Sequence, residues 1–344
     1  MRHALRDTHA AHVGARDGSA IRAAALQCHL LKLSHDELGV IADTLSDVLM
    51  PILVVALSCT CRGLRLALCA IIKLLDTRHS AVIALSRKVT CSASPTGPGR
   101  RKSPIKATCL IAIRETSTLY NMDSSLSRKD MAVLGMVLRH GRMPQLRKLT
   151  LVACGIGDRG LEALLDVTGG TSLRLRTLVL SHNKLTPTAA GLASAIATGV
   201  LPMLEELSLQ GNPIQSQGAT ALVMPLRRLR AFKFEIGDCG IRGGDELVAH
   251  MVAGLREQGC NDFWLLQRLQ LHNPFGKFEN ELTQRGVSTL ATALTSGSLP
   301  ALSVLTLLGV SEITGLLQAM VDELSNLAAP RLRVIYKAPL NLSQ

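Results

Sequence analysis

The sequence predicts an α/β solenoid, with one strand and one helix in each repeat, preceded by a small all-helical module. Leucines recur at a constant period in the later part of the chain, and apolar residues at helical spacing follow each set. Only 2% of the 344 residues are aromatic, although 47% are hydrophobic. A core of small aliphatic side chains favours many thin repeated layers over one aromatic-centred core.

The repeat is carried by five positions in the frame L-x-x-L-x-L-x-x-[NC]-x-[IL]. Leu151, Leu180 and Leu209 hold the same position and follow one another at 29 residues. Alternate leucines place one face of a short strand in the core. The Asn or Cys is expected to turn the chain inward and to bond backbone groups left over at the turn. The complete copies are Leu146–Ile156, Leu175–Leu185 and Leu204–Ile214.

Weaker copies extend the repeat toward both termini and bring the expected number to six or seven units. One strand and one helix cannot bury their faces alone, so stacked neighbours must share one continuous core. The expected additional strands are Cys109–Ile113, Thr118–Tyr120, Leu229–Phe234, Leu266–Leu271, Leu302–Leu307 and Leu332–Tyr336, and the expected helices include Arg128–Leu138, Asp245–Leu255 and Thr283–Leu294.

The 29-residue copies and the segment GIGDRGLEALLDV, at Gly155–Val167, resemble the ribonuclease-inhibitor type of leucine-rich repeat. The resemblance covers about Cys109 to Tyr336. It implies a horseshoe whose strands line a concave face and whose helices form the convex one. Repeats of this type occur in inhibitors, immune receptors and GTPase-activating proteins, so the resemblance implies a scaffold and not one particular function.

The side chains that alternate with the core leucines are expected to face the concave side, which is the usual partner surface of a solenoid. They are of mixed charge, without a basic stripe or a stacking aromatic ring, which argues against nucleic acid as a ligand. A protein partner fits this face better. The predicted partner-binding residues are Lys148, Thr150, Thr177, Ser181, Glu206, Ser208, Gln210, Lys233, Glu235, Arg268, Gln270 and His272.

The predicted helical module, residues 24–90, resembles a degenerate F-box. The resemblance rests on HDEL at His35–Leu38 and on CRGLR at Cys61–Arg65, and it implies contact with a ubiquitin-ligase adaptor. The module lacks the family's proline in the first motif and has a leucine in place of the aromatic residue of the second. A cap over the N-terminal end of the repeats is the alternative interpretation. The candidate adaptor-binding residues are Leu38, Ile41, Leu45 and Leu64.

The remaining domain predictions are a flexible basic tail at residues 1–23, a linker rich in Pro, Gly and basic residues at 91–107, and the repeat domain at 108–344. Fifteen Lys and Arg against seven Asp and Glu lie before residue 109, which is +8 of the total charge of +12. The positive charge therefore indicates a role of the N-terminal part in targeting or tethering the chain. The sequence does not decide whether the tail is a targeting peptide.

Nine cysteines without regular paired spacing indicate reduced thiols and a cytoplasmic or nuclear protein. We expect Cys59 and Cys61 to be core residues, because no second pair completes a zinc site. The most apolar stretch, Val48–Cys61, is 14 uncharged residues long and predicts a buried helix instead of a membrane span.

The sequence also predicts neither a catalytic site nor a cofactor or metal. Gly155–Gly160 fits G-x-G-x-x-G between a strand and a helix, as in dinucleotide-binding proteins. However, Gly160 and Gly218 follow Leu151 and Leu209 at the same distance, so the glycine belongs to the repeat. His182, His250 and His272 are expected to be surface or loop residues.

The predicted function is therefore a non-enzymatic scaffold for protein–protein interaction, in its finer form an F-box-type substrate receptor of a ubiquitin ligase. The alternative is a regulator of a small GTPase, because the repeats resemble the solenoid of the Ran GTPase-activating protein. That family usually carries an acidic tail, whereas the present chain ends in Lys337–Gln344 without an acidic residue.

Overall fold

The computed structural model describes two compact units, Met1–Ala81 and Val82–Gln344. The described residues are 51–60, 68–92, 105–106, 110–165, 172–187, 190–226, 232–242, 244–253, 266–271, 284–296, 301–306 and 332–335, with the single residues 37, 47, 49, 65, 66, 229, 299 and 319.

The described strands of the second unit form one sheet, in the order β10-β9-β8-β7-β6-β5-β4-β3-β1-β2. From β3 to β10 the pairing is parallel and follows the chain order, as expected when each strand returns through its own helix. The strands are β1 Thr90–Ser92, β2 Ile105–Lys106, β3 Thr118–Met122, β4 Lys148–Val152, β5 Thr177–Val179, β6 Glu206–Ser208, β7 Phe232–Glu235, β8 Leu266–Gln270, β9 Val304–Thr306 and β10 Arg333–Ile335.

From β3 to β9 a helix lies between each strand and the next, and the helices that follow one another in this part of the chain pack side by side. The described helices are α1 Ile52–Thr60, α2 Cys69–Ser86, α3 Leu110–Glu115, α4 Arg128–Arg139, α5 Gly157–Leu165, α6 Ala190–Ala197, α7 Gln215–Leu226, α8 Gly244–Ala253 and α9 Gln284–Thr295.

The core of the second unit lies between the parallel strands and helices α4–α9, and the leucine frame fills it as predicted. Leu149 and Leu151 of β4 are completely buried, as are Leu178 and Leu207 at matching positions of β5 and β6. In α5 the residues that face the same core are Leu161, Leu164 and Leu165, at helical spacing. The three complete copies, and the predicted alternation of strands and helices, are confirmed.

The N-terminal edge of the sheet departs from the sequence-based expectation. Cys109–Ile113 was expected to be a strand, but Leu110–Glu115 is helix α3, and only Thr118–Met122 forms the predicted strand. Short apolar runs do not distinguish a strand from a buried helix by periodicity, which explains the error. Thr116 ends the helix region with a turn, in which its hydroxyl donates to the carbonyl oxygen of Thr118 at 2.7 Å.

The two ends of the predicted linker lie in this same edge. β1 pairs antiparallel with β3, aligning Cys91 with Leu119, and β2 pairs antiparallel with β1. The sheet thus takes in residues that precede 108, where the repeat domain was predicted to begin. Antiparallel strands here cover the backbone groups that β3 would otherwise present as an open edge. Residues 93–104 lie outside the described residues.

A capping box fixes the beginning of α4. Ser127 donates its backbone N–H and its hydroxyl to Asp130 Oδ2, at 2.8 and 2.6 Å, and its Oγ accepts from the Asp130 N–H. Lys88 Nζ lies 2.7 Å from the same carboxylate. Burial alone would raise the pKa of Asp130, but the bonds from Lys88 and Ser127 outweigh it and lower that pKa. The segment that follows α2 is thereby tied to the first repeat helix.

The first unit contains α1 and the start of α2 among its described residues. Val54 of α1 is buried, whereas Ile52 and Leu53 are 62% and 56% exposed, so the helix predicted here is only partly a core helix. Cys59 is exposed, and the prediction that it packs in a core is wrong for this residue. The spacing of apolar residues predicts a helix, but it does not show which of its side chains are buried.

Helix packing in the second unit depends on a close approach at Gly135 of α4. A Cβ atom there would lie 2.5 Å from the Leu164 carbonyl oxygen and 2.9 Å from that of Ala163, both backbone atoms of α5.

We expect Gly135→Ala to force the helices apart and to lower the free energy of unfolding by about 2 kcal/mol, measured by urea denaturation. Gly191→Ala in α6 is the matched control, because its Cβ would meet only Glu162 Cγ, at 3.4 Å. The control should be neutral or stabilising by up to about 1 kcal/mol; equal losses in both variants would contradict the close packing.

Candidate functional site

The candidate site is the strand face, defined as the sheet side opposite the core leucines on β3–β10. Because side chains alternate along a strand, Lys148 and Thr150 of β4 point away from Leu149 and Leu151. Parallel pairing lines up the equivalent residues of neighbouring strands in two rows, with one register shift between Phe232 and Lys233 where β7 pairs with β8. The first row is Thr118, Lys148, Thr177, Glu206, Lys233, Arg268, Val304 and Arg333; the second is Tyr120, Thr150, Val179, Ser208, Glu235, Gln270 and Thr306.

A ladder of buried polar side chains holds these rows in register. Asn183 Oδ1 accepts from the N–H of Cys154 at 2.9 Å, and its amide donates to the carbonyl oxygen of Leu151 at 2.6 Å. Asn212 repeats the arrangement one unit later, accepting from the N–H groups of Asn183 and Leu185 at 2.8 and 3.1 Å. Both asparagines are completely buried. The predicted role of the Asn position is therefore confirmed.

Cysteine occupies the same ladder position in two other units. The Cys154 thiol lies 3.2 Å from the Val152 carbonyl oxygen, and the Cys239 thiol 3.3 Å from that of Leu209. Burial raises the pKa of Cys154 to about 11 and that of Cys239 to about 12. Since both thiols stay protonated near neutral pH, they serve as hydrogen-bond donors and not as nucleophiles.

The residue before each ladder position turns the chain out of the strand with a positive φ. Ala153, His182 and Gly211 occupy this position with φ of 53°, 59° and 71°. The ring of His182 lies so close to Gly211 that a Cβ there would overlap its Nδ1 atom. His182 itself is exposed, and so is His250 on α8; both are surface residues, as expected.

The predicted partner-binding residues differ in how far they reach solvent. Lys148 and Arg268 are exposed, whereas Thr150, Ser181 and Ser208 are buried although they were predicted to contact a partner. His272 and the adaptor candidates Leu38, Ile41, Leu45 and Leu64 lie outside the described residues. The half-buried members of the set are Thr177, Glu206, Gln210, Lys233, Glu235 and Gln270.

The buried hydroxyls have different environments. Ser181 Oγ and Ser208 Oγ bond each other at 3.1 Å, which accounts for both. Thr150 Oγ1 is buried as well, but it has no hydrogen-bond partner among the described residues. A buried hydroxyl without a partner costs about 1–3 kcal/mol, so this atom calls for an explanation.

Sequence reasoning missed part of the face, namely Tyr120 and Met122 on β3. Tyr120 is half-buried, Met122 is 45% exposed, and the tyrosine hydroxyl lies 3.2 Å from Met122 Sδ. The signal was weak because Asn121, paired in register with Leu151, interrupts the leucine frame in this strand. The predicted alternation of Thr118–Tyr120 would have placed Tyr120 on the face.

Gly160 of the G-x-G-x-x-G segment holds the same place in the repeat as Gly218, as the sequence predicted. A Cβ on Gly160 would lie 2.7 Å from Ile156 Cγ2, and one on Gly218 would lie 2.6 Å from Ile214 Cγ2. Because these two glycines have no Cβ, an isoleucine fits at the same core position of two repeats. Within the part of the chain that the structure describes, no cluster of metal-ligating side chains occurs and no helix is long and apolar enough to cross a membrane.

Comparison with known proteins agrees with this geometry. A family model described as Leucine Rich repeat matches residues 143–165, which contain β4 and α5, and residues 200–223, which contain β6 and most of α7. A search of curated proteins gives no match. The matched segments are leucine-rich repeats, and such repeats generally mediate protein–protein interaction and are typically non-enzymatic.

The ladder makes a direct stability prediction. Asn183→Ala leaves the Cys154 N–H and the Leu151 carbonyl without their buried partner. We expect a loss of about 2–4 kcal/mol in the free energy of unfolding, measured by urea denaturation. His182→Ala is the control one residue away, since Ala153 already occupies that repeat position at φ 53°. The control should change stability by less than about 0.5 kcal/mol; a similarly small change for Asn183→Ala would refute the ladder's role.

Proposed function

We propose that the chain is a non-enzymatic scaffold that binds one protein partner on its strand face, the concave face of a solenoid of the ribonuclease-inhibitor type. The observation that carries the proposal is the ordered array of side chains on this face. The buried ladder fixes the backbone beneath it, so the residues of the two rows are presented at constant spacing. A preorganised surface of this kind binds without a large ordering cost.

The charges on the face support a protein partner. Lys233 lies between Glu206 and Arg268 in the first row, and Glu235 follows it on the same strand. Charges of both signs at short intervals suit the mixed surface of a folded protein, whereas a phosphate backbone requires a basic stripe. Regulation of a small GTPase has no support among the described residues beyond the repeats themselves, and it is not proposed further.

The test compares two faces of the molecule with the same change in charge. The strand-face variant carries Lys148→Glu, Lys233→Glu and Arg268→Glu; the helix-face control carries Arg128→Glu, Lys129→Glu and Arg159→Glu, three exposed residues of α4 and α5. Both full-length proteins and the wild type are used as baits, and captured proteins are quantified by mass spectrometry. We expect proteins whose capture falls at least about tenfold only with the strand-face variant, because reversed charges oppose docking.

Two outcomes would contradict the proposed binding face. The captured set could be the same for the strand-face variant and the wild type, or it could be lost only with the helix-face control. Equal melting temperatures of the three proteins show that the comparison concerns binding and not folding.

In its finer form the proposal makes the chain a substrate receptor of a ubiquitin ligase. Its support is the F-box-like pattern at His35–Leu38 and Cys61–Arg65. Full-length protein should bind the ligase adaptor at micromolar concentration in a pull-down, and Leu38→Asp with Leu45→Asp should abolish the binding, because a charge in an apolar contact is costly. No adaptor binding by the wild type would remove the receptor function and leave the scaffold proposal standing.

A further inference from the structure

The strand face is not uniform, because apolar side chains are grouped at the C-terminal ends of β3–β5, whereas charged side chains are grouped on β6–β8. Tyr120 and Met122 of β3, Val152 of β4 and Val179 of β5 form what we call the anchor patch. Register places Met122 beside Val152, and Tyr120 and Val179 on either side of Thr150. Met122 is among the most exposed large apolar residues of the second unit, and the other three are half-buried. Apolar residues grouped on an exposed face mark a contact site.

The buried hydroxyl of Thr150 lies at the centre of this patch. It has no hydrogen-bond partner among the described residues, in contrast to the paired hydroxyls of Ser181, which follows β5, and Ser208 on β6. Its register neighbours, Tyr120 and Val179, are half-buried, so a bound segment must move them to reach the hydroxyl. A polar group of that segment would then give the hydroxyl its missing bond.

Apart from Lys148 on β4, the charged residues of the middle of the face lie on β6–β8. Lys233 of β7 and Arg268 of β8 are neighbours in register, and neither forms an ion pair with a described residue. Like charges on neighbouring strands repel each other, and a carboxylate between them relieves the repulsion. This pair therefore favours an acidic group, although Glu206 and Glu235 limit how much acidic charge the whole region accepts.

We propose that the strand face binds an extended protein segment that places one large apolar side chain on the anchor patch and an acidic residue against Lys233 and Arg268. The inference rests on the strand-face function proposed above. β4 and β8 are four strands apart, which is about 19 Å at a strand spacing of about 4.8 Å. An extended chain covers that distance in about six residues, so the apolar and acidic residues are separated by about six positions.

The experiment selects random displayed peptides of about twelve residues, long enough for the expected span, on the immobilised full-length protein. Enriched sequences should share a large apolar residue and an Asp or Glu about six positions away. A synthetic peptide of that sequence should bind the variant carrying Val152→Thr and Val179→Thr about tenfold more weakly than the wild type. The helix-face control with Arg128→Glu, Lys129→Glu and Arg159→Glu should bind it unchanged.

Thr150→Val separates recognition from a purely structural role. The substitution keeps the shape and removes the unbonded hydroxyl, so the melting temperature should not fall. Peptide affinity should nevertheless fall about two- to tenfold, because the hydroxyl can no longer bond the segment. Unchanged affinity would remove Thr150 from the site.

The remaining outcomes distinguish this inference from the proposed function. Peptides that bind the strand face but lack the apolar and acidic pair would overturn the inference and leave the scaffold function intact. If no peptide is enriched, the inference that the strand face binds an extended segment is wrong. Peptides whose binding survives every strand-face substitution, including Lys148→Glu, Lys233→Glu and Arg268→Glu, would count against both.

Discussion

The buried amide of Asn183 is the interaction on which the rest of the repeat structure depends. It bonds backbone groups of two successive units, and Asn212 does the same one repeat later. Short parallel strands form few backbone hydrogen bonds with one another, and the chain must turn sharply after each strand. A side chain that satisfies the groups exposed at the turn fixes both the turn and the register.

This constraint connects the core to the candidate site. With the register fixed, leucines stack on one side of the sheet and the two rows of exposed side chains stack on the other. The same spacing that buries Leu149 and Leu178 therefore places Lys148 beside Thr177. Specific recognition depends on which residues occupy the rows, and the ladder leaves those residues free to vary, because none of the ladder's bonds uses them.

The sequence predicted much of this arrangement because the leucine and asparagine positions recur in a fixed frame. It failed where the frame is broken: Asn121 replaces a core leucine in β3, so Tyr120 and Met122 were missed, and the helix Leu110–Glu115 was taken for a strand. The sequence also did not predict how deeply the side chains of the strand face are buried. Alternation identifies the side of the sheet on which Thr150 and Ser208 lie, but their burial depends on the size of neighbours in adjacent strands. Such neighbours are known only once the register is known.

Native-state hydrogen exchange of single amides tests the central claim most directly, namely that the ladder holds the strand face in place. The amides of Cys154, Asn183 and Leu185 donate to ladder side chains at 2.9, 2.8 and 3.1 Å. We predict that they exchange only through global unfolding of the repeat unit, with the same free energy that urea denaturation gives. Exchange of these amides through local openings, with a free energy well below the global value, would contradict the account.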